Sequence, residues 1–157
     1  MNYIKCKAQS LYTYALSPGS LPNPFQICKE IGVETRFYDL GSLKGMYFLV
    51  NQIPFVVLNL QLSDQEAKIV CAHELGHHIL HHDLATCHVL SQYELYRVHS
   101  KSEAEANLFA AHLLLPDAAF QAVLKEQGPD LDHMAAALQV PKELVLLKLA
   151  DEGFAVP

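Results

Sequence analysis

His73, Glu74 and His77 form an H-E-x-x-H pattern inside a run, residues 69–82, that reads as one helix. Four residues of spacing put His73 and His77 one turn apart on one face, so two imidazoles can grip one metal ion. Glu74 lies about 100° round the helix from His73, where it can flank the metal without ligating it. This combination suits metal-assisted hydrolysis, with two zinc ligands and a carboxylate as general base.

A catalytic zinc normally has three protein ligands and one open position. The third ligand must come from elsewhere, and the candidates are Asp83, His88, His99, Glu103, Glu105 and His112. A second strong helix is predicted over 102–115. On it Glu103, Ala106 and Ala110 share a face, and the small alanines would let this helix press against the metal helix with Glu103 pointing inward. Glu105 belongs to a different face and completes a capping box with Ser102. A competing start at Ser100 makes Glu103 the capping partner instead. Face geometry favours Glu103, with Glu105 and the histidines still open. The pattern with a third histidine, H-E-x-x-H-x-x-G-x-x-H, is absent. Asn107, one turn beyond Glu103, is placed to orient a ligand. Tyr93, Tyr96, Arg97 and His99 are candidates to stabilise an oxyanion.

Six of the nine histidines fall between His73 and His88. His78, His81 and His82 read as bystanders that suit the negative end of a helix. Gly76 in the helix interior costs about 1 kcal/mol relative to alanine, and it permits close approach of a strand, a substrate or another helix.

The remaining elements must position these residues. A helix is expected over 2–16 and a short one over 25–31, closed by Gly32. Strands are expected over 33–38, 46–51 and 55–59, with Pro54 confined to a strand start or edge. Their short links favour antiparallel pairing. Ser63 and Glu66 form a capping box that starts the metal helix at Asp64 and lets it run to about His82. Residues 83–99 read as irregular, a possible lid or substrate loop. Pro116 ends the second helix, and three more follow over 117–127, 131–139 and 141–152. The expected fold is α+β: a small antiparallel sheet of about three strands on a helical metalloprotease core, with C-terminal helices. Residues 1–157 should form one domain, with 129–153 as a helical subregion.

The chain has 157 residues, 51% of them hydrophobic, enough to bury a core, and a formal net charge of -6 that disfavours a general nucleic-acid binder. No secretory apolar core follows the N-terminus, and no apolar run is long enough to span a bilayer. Cys6, Cys28, Cys71 and Cys87 form no C-x-x-C pair, which fits free thiols and a cytoplasmic setting. Cys71 reads as core. A monomer without membrane contact is expected.

Two stretches carry a family resemblance. One is Ala72-His73-Glu74-Leu75-Gly76-His77-His78-Ile79-Leu80-His81. The other, residues 103–116, is similar to an E-x-x-A-N-x-F-A-x-x-L-L-x-P signature. Residues 23–33 and Asn59 add upstream matches. Over roughly residues 20–150 the chain resembles the ImmA/IrrE family of bacterial and phage zinc metallopeptidases. The resemblance implies a gluzincin-like site with one zinc ion held by His73, His77 and a glutamate that falls on Glu103, and Glu74 as the catalytic base. It also implies cleavage of a protein substrate, a DNA-binding repressor of a phage or mobile element.

Two other readings compete. The segment Met134 to Val145 has helix-turn-helix spacing and could bind DNA or a repressor. Its second helix, however, carries Lys142 and Lys148 against Glu143, Asp151 and Glu152, which is poor for phosphate contacts. Alternatively, the chain is a non-hydrolytic zinc-binding regulator that docks its partner.

Overall fold

The computed structural model describes residues 2–14, 21–82, 88–90 and 100–154, with the backbone alone at 88–90. Helix α1 (Tyr3–Ser10) is capped by the Asn2 side chain and runs into a single 3-10 turn, Leu11–Tyr14. Helix α2 (Pro24–Ile31) has proline in its first turn and ends on Gly32, whose φ of 79° is the left-handed conformation expected of a C-terminal glycine.

Strands β1 (Glu34–Tyr38), β2 (Gly45–Val50) and β3 (Ile53–Asn59) lie close to their expected positions. The architecture is α+β as expected, but the sheet differs from the expectation in two ways. It has four strands in the order β1-β3-β2-β4, because β4 (His88–Leu90) adds to the free side of β2. It is also mixed. β2 and β3 form an antiparallel hairpin, while β1 pairs with β3 in parallel. The short β1–β2 link does not enforce pairing of those two strands. The chain crosses past β3, makes β2, and returns, so residues 39–52 together supply the length that a parallel crossover needs. Pro54 sits at the second position of β3, one residue before the β1 ladder begins at Phe55 opposite Glu34.

Ser63 and Glu66 make the full reciprocal capping box, and α3 (Asp64–His81) begins where the sequence places it. Helix α4 (Lys101–Leu114) has its N-cap two residues earlier than the favoured reading. Ser100, not Ser102, is its N-cap, and the Ser100 hydroxyl accepts from the Glu103 backbone N–H. The Glu103 side chain does not return to close a capping box. It faces α3. Helices α5 (Asp117–Gln127), α6 (Leu131–Leu138) and α7 (Lys142–Asp151) complete the described chain.

One hydrophobic cluster joins these elements, from Ala8 and Leu11 through Val56, Leu58, Leu75, Phe109 and Leu113 to Met134, Leu144 and Leu149. The α6–α7 pair therefore buries its apolar face in the core. Two glycines let the layers close. A Cβ on Gly76 would come within 3.1 Å of the Ala106 Cα and 3.2 Å of its carbonyl oxygen, so α3 and α4 meet main chain to main chain. A Cβ on Gly45 would lie 2.5 Å from Val70 Cγ1, so β2 presses equally hard on α3. Of the three readings of Gly76, the helix-to-helix contact holds.

At the C-terminal end of α4 the fold closes on a polar network. Lys148 is fully buried, donates to Asp117 at 2.7 Å and also donates to the Leu115 carbonyl. Lys5 reaches the other Asp117 oxygen at 2.9 Å. His112 bonds Asp151 at 2.8 Å, and Asn2 donates to the same carboxylate at 2.7 Å. Among the described residues no single helix is long and apolar enough to cross a membrane.

Candidate metal centre

The i, i+4 spacing on α3 does what the sequence implies. His73 and His77 turn their Nε2 atoms toward each other at 3.1 Å. Glu103 arrives from α4 across the Gly76–Ala106 contact, with one carboxylate oxygen 3.3 Å from His73 Nε2 and the other 3.2 Å from His77 Nε2. The donor atoms of the three residues all lie within 4.8 Å of one another. Both histidines are buried and Glu103 is partly exposed, so among the described residues the Glu103 side is the face of the cluster nearest solvent. Two imidazoles and a carboxylate on two rigid helices fit a small divalent cation with a position left for water.

The electrostatics follow from this convergence. Bonds to His73 and His77 hold the Glu103 carboxyl far below the usual carboxylate range. Burial works to lower the His73 imidazole, but Glu103, Glu74 and Asn107 outweigh it and raise it overall. Glu74 is the opposite case. It is fully buried, neither carboxylate oxygen has a hydrogen-bond partner, and burial pushes it up to about 8, with Glu103 adding to the rise.

The surroundings orient the histidines. His73 Nδ1–H donates to Asn107 Oδ1 at 2.7 Å, as the placement of Asn107 one turn past Glu103 suggests. His77 Nδ1 lies 3.2 Å from His81 Nδ1, and His81 Nε2 lies 2.9 Å from Glu105 Oε2. His81 is therefore buried in the site and is not a bystander. The signal was in the sequence, because His81 extends the i, i+4 series of His73 and His77 by one more turn. Glu105 is not placed as a ligand and has no capping role. Its carboxylate bonds His81 and sits 3.5 Å from Lys101. His78 also has a partner, the buried Tyr47 hydroxyl at 2.9 Å, while His82 is exposed.

Of the other candidate third ligands, His112 belongs to the Asp151 network at the far end of α4. Asp83 and His99, the oxyanion candidates Tyr93, Tyr96 and Arg97, and the proposed lid fall outside the described residues, as does the side chain of His88. Cys71 faces away from the cluster, fully buried, with its sulfur 3.8 Å from that of Cys28. Asn59 has a structural task, donating to the Gly41 and Leu43 carbonyls and so fixing the turn before β2. A groove of about 1060 Å³ lies elsewhere, between the starts of α2 and α3 and the α6–α7 turn, and no residue of the cluster lines it.

The model of the M78 peptidase family, described as the IrrE N-terminal-like domain, matches residues 28–150, which include the whole cluster. The chain belongs to this ImmA/IrrE family. Immunity region protein 2 of Bacillus phage phi105 is 35% identical over 127 residues, 80% of this chain and 78% of that protein. Metallopeptidase ImmA of Bacillus subtilis strain 168 is 29% identical over 151 residues, 96% of this chain and 86% of that protein. Among solved structures, a Mycobacterium tuberculosis transcriptional regulator has a TM-score of 0.62 at 14% identity, covering 96% of this chain and 47% of that one. At that identity the likeness concerns the fold, and the chain spans about half the regulator's length. Membership in a metallopeptidase family agrees with the donor set on α3 and α4.

Proposed function

We propose that the chain is a zinc-dependent endopeptidase that hydrolyses a peptide bond in a DNA-binding repressor, with His73, His77 and Glu103 as ligands and Glu74 as general base. The observation that carries this reading is Glu74. A fully buried carboxylate with no hydrogen bond on either oxygen is expensive to keep, and it stands beside three convergent metal donors. A group in that state is suited to a proton in transit.

A divalent ion held by this donor set supplies Lewis-acid chemistry, easing deprotonation of a water and polarising the scissile carbonyl. The chain's own residues do the rest. Glu74 takes a proton from the attacking water as its oxygen bonds to the carbonyl carbon. The C–N bond then breaks, and Glu74 returns the proton to the departing amine. Burial raises the affinity of this carboxyl for a proton, which favours its holding the proton between the two events. Asn107 keeps the His73 ring fixed throughout.

The relatives support the substrate class. One is named an immunity region protein of a phage and another a metallopeptidase ImmA. The natural test substrate is a helix-turn-helix repressor encoded beside this chain's gene in its genome, once that neighbour is sequenced. Wild type, His73→Ala, Glu103→Gln and Glu74→Gln are purified, their bound zinc is measured by elemental analysis, and each is mixed with that repressor. Wild type should carry zinc and cleave the repressor into two fragments by mass spectrometry. His73→Ala and Glu103→Gln should lose zinc, and Glu74→Gln should keep zinc without cleaving. Undiminished cleavage by Glu74→Gln would sink the base assignment. Full zinc affinity in Glu103→Gln would sink the ligand set.

A further inference from the structure

Helix α3 carries an i, i+4 imidazole pair that the cluster does not use. His78 and His82 have ring centres 5.3 Å apart with their planes at 89°. The ligand pair, His73 and His77, has ring centres 4.8 Å apart with planes at 78°. One helical turn sets both spacings, and the second pair stands five residues further on, about 140° round the helix from the first. Two imidazoles that grip one ion at about 2.0–2.1 Å and a tetrahedral angle hold their ring centres roughly 5 Å apart. His78 and His82 meet that requirement as they stand. The surroundings repeat the pattern as well. His78 is half-buried, and its Nδ1 lies 2.9 Å from the hydroxyl of the buried Tyr47 on β2. A ligating imidazole donates from its other nitrogen to a neighbour that fixes the ring, as His73 does to Asn107. The Tyr47 oxygen can take that bond from His78. His82 is the exposed C-cap of α3, so water can fill the positions that two imidazoles leave open.

We propose that His78 and His82 form a second, weaker site for a divalent transition-metal ion, with Tyr47 as the positioning residue behind His78. The pair offers nitrogen alone. That suits zinc, nickel or copper, which take imidazole, and disfavours magnesium and calcium, which take oxygen. With two protein ligands against three, the site fills after the cluster at His73, His77 and Glu103. It shares no ligand with that cluster, so it stands or falls independently of the endopeptidase reading. An ion there bridges the last turn of α3 to its C-cap. If the Tyr47–His78 bond served only to pack β2 against α3, no second ion would bind, and this separates the two roles.

The test counts zinc. Tag-free protein is titrated with zinc against a chromophoric chelator, and the zinc bound per chain is followed through each step. Wild type should take a second zinc more weakly than the first. His82→Ala, at an exposed position that leaves the fold intact, should lose the weak zinc and keep the strong one. His73→Ala should do the reverse. Tyr47→Phe keeps the buried ring and removes the hydroxyl, so it should weaken the second zinc about 10–100-fold while the first is unchanged. A wild type whose single zinc is lost in His73→Ala and kept in His82→Ala would overturn the proposal. So would a His82→Ala protein that takes the second zinc as wild type does. Undiminished weak binding in Tyr47→Phe would overturn the positioning role of Tyr47. A single zinc kept in His73→Ala and lost in His82→Ala would overturn the first metal site instead and leave the second in place.

Discussion

Helix α4 carries a buried polar cluster at each end, and the two differ in what they leave open. At the C-terminal end, Lys148 ends on Asp117 and the Leu115 carbonyl, Asp117 is shared with Lys5, and His112 ends on Asp151, which is shared with Asn2. One nitrogen of His112 and one oxygen of Glu152 lack a hydrogen-bond partner, but Glu152 accepts from Gln121 through its other oxygen and lies 3.6 Å from Lys5, so every charged group there meets an opposite charge or a dipole. The network joins the first helix to the last, which is a structural role. At the N-terminal end, three donors converge from two helices while Glu74 sits buried with neither oxygen bonded. Burial alone does not separate chemistry from architecture, since Lys148 is as buried as Glu74. Closure does: a network whose charges are neutralised internally holds the fold, and one that keeps a buried carboxylate with both oxygens unbonded and no cation beside it is ready to act on something else.

Changes at the two ends should therefore read out differently. The largest effect is expected at Glu74. Glu74→Gln should slow cleavage about 10²–10⁴-fold, followed by fragment yield, with metal content unchanged. The same variant should alter the metal-stripped protein. Folding raises this carboxyl from the usual range to about 8, so between those values the folded state binds a proton that the unfolded state has lost. Stability of the stripped wild type should fall as pH rises through that window, and Glu74→Gln should flatten the fall in urea titrations. A pH-independent stripped wild type would contradict the account of Glu74.

Next comes Lys148→Met, which removes a buried charge and leaves the Leu115 carbonyl without its donor. A loss of about 2–4 kcal/mol by urea unfolding is expected, with zinc affinity unchanged. A parallel loss of zinc would mean that the two ends of α4 are not separable. Gly76→Ala should cost about 1–3 kcal/mol, because the added methyl meets the Ala106 main chain. Unlike Lys148→Met, it should also weaken zinc binding by moving Glu103 away from the histidines. The smallest effect is at Asp117. Burial works to raise its carboxyl, but Lys148 and Lys5 outweigh this and hold it at about 2. Its contribution is present above the ordinary aspartate range and is lost as pH falls toward 2. With solvent screening at this partly exposed side chain it amounts to about 1 kcal/mol or less, seen as a shallower acid limb in Asp117→Asn.

What the sequence made legible was local. The H-E-x-x-H spacing, the Ser63–Glu66 box, Gly32 as a cap and the shared face of Glu103 and Ala106 are all set within a few helical turns, and each appears where its chemistry places it. What escaped depends on partners distant in sequence. The parallel β1–β3 pairing follows from which edge β2 occupies, and β4 follows from where the chain returns after α3. His81 looked like surface because its partner, Glu105, lies on another helix. The choice between Ser100 and Ser102 as N-cap did not decide where Glu103 points. Ser100 caps α4 through its own hydroxyl, and the Glu103 side chain turns across the seam to His73 and His77 instead of back to the cap.

The contact between Gly76 and Ala106 also makes the centre a gauge. Where main chain meets main chain, no side chain lies between Gly76 and Ala106 to yield, so the fold sets the spacing of the two helix backbones and leaves only the Glu103 side chain to adjust within it. Ions whose bonds to nitrogen and oxygen run near 2.0–2.2 Å suit such a rigid span. Calcium, which takes six to eight oxygens at about 2.3–2.6 Å, would have to wedge the helices apart to enter. On the proposed ligand set, the spacing of two backbones therefore favours a small ion over a large one, ahead of any preference the ligands express.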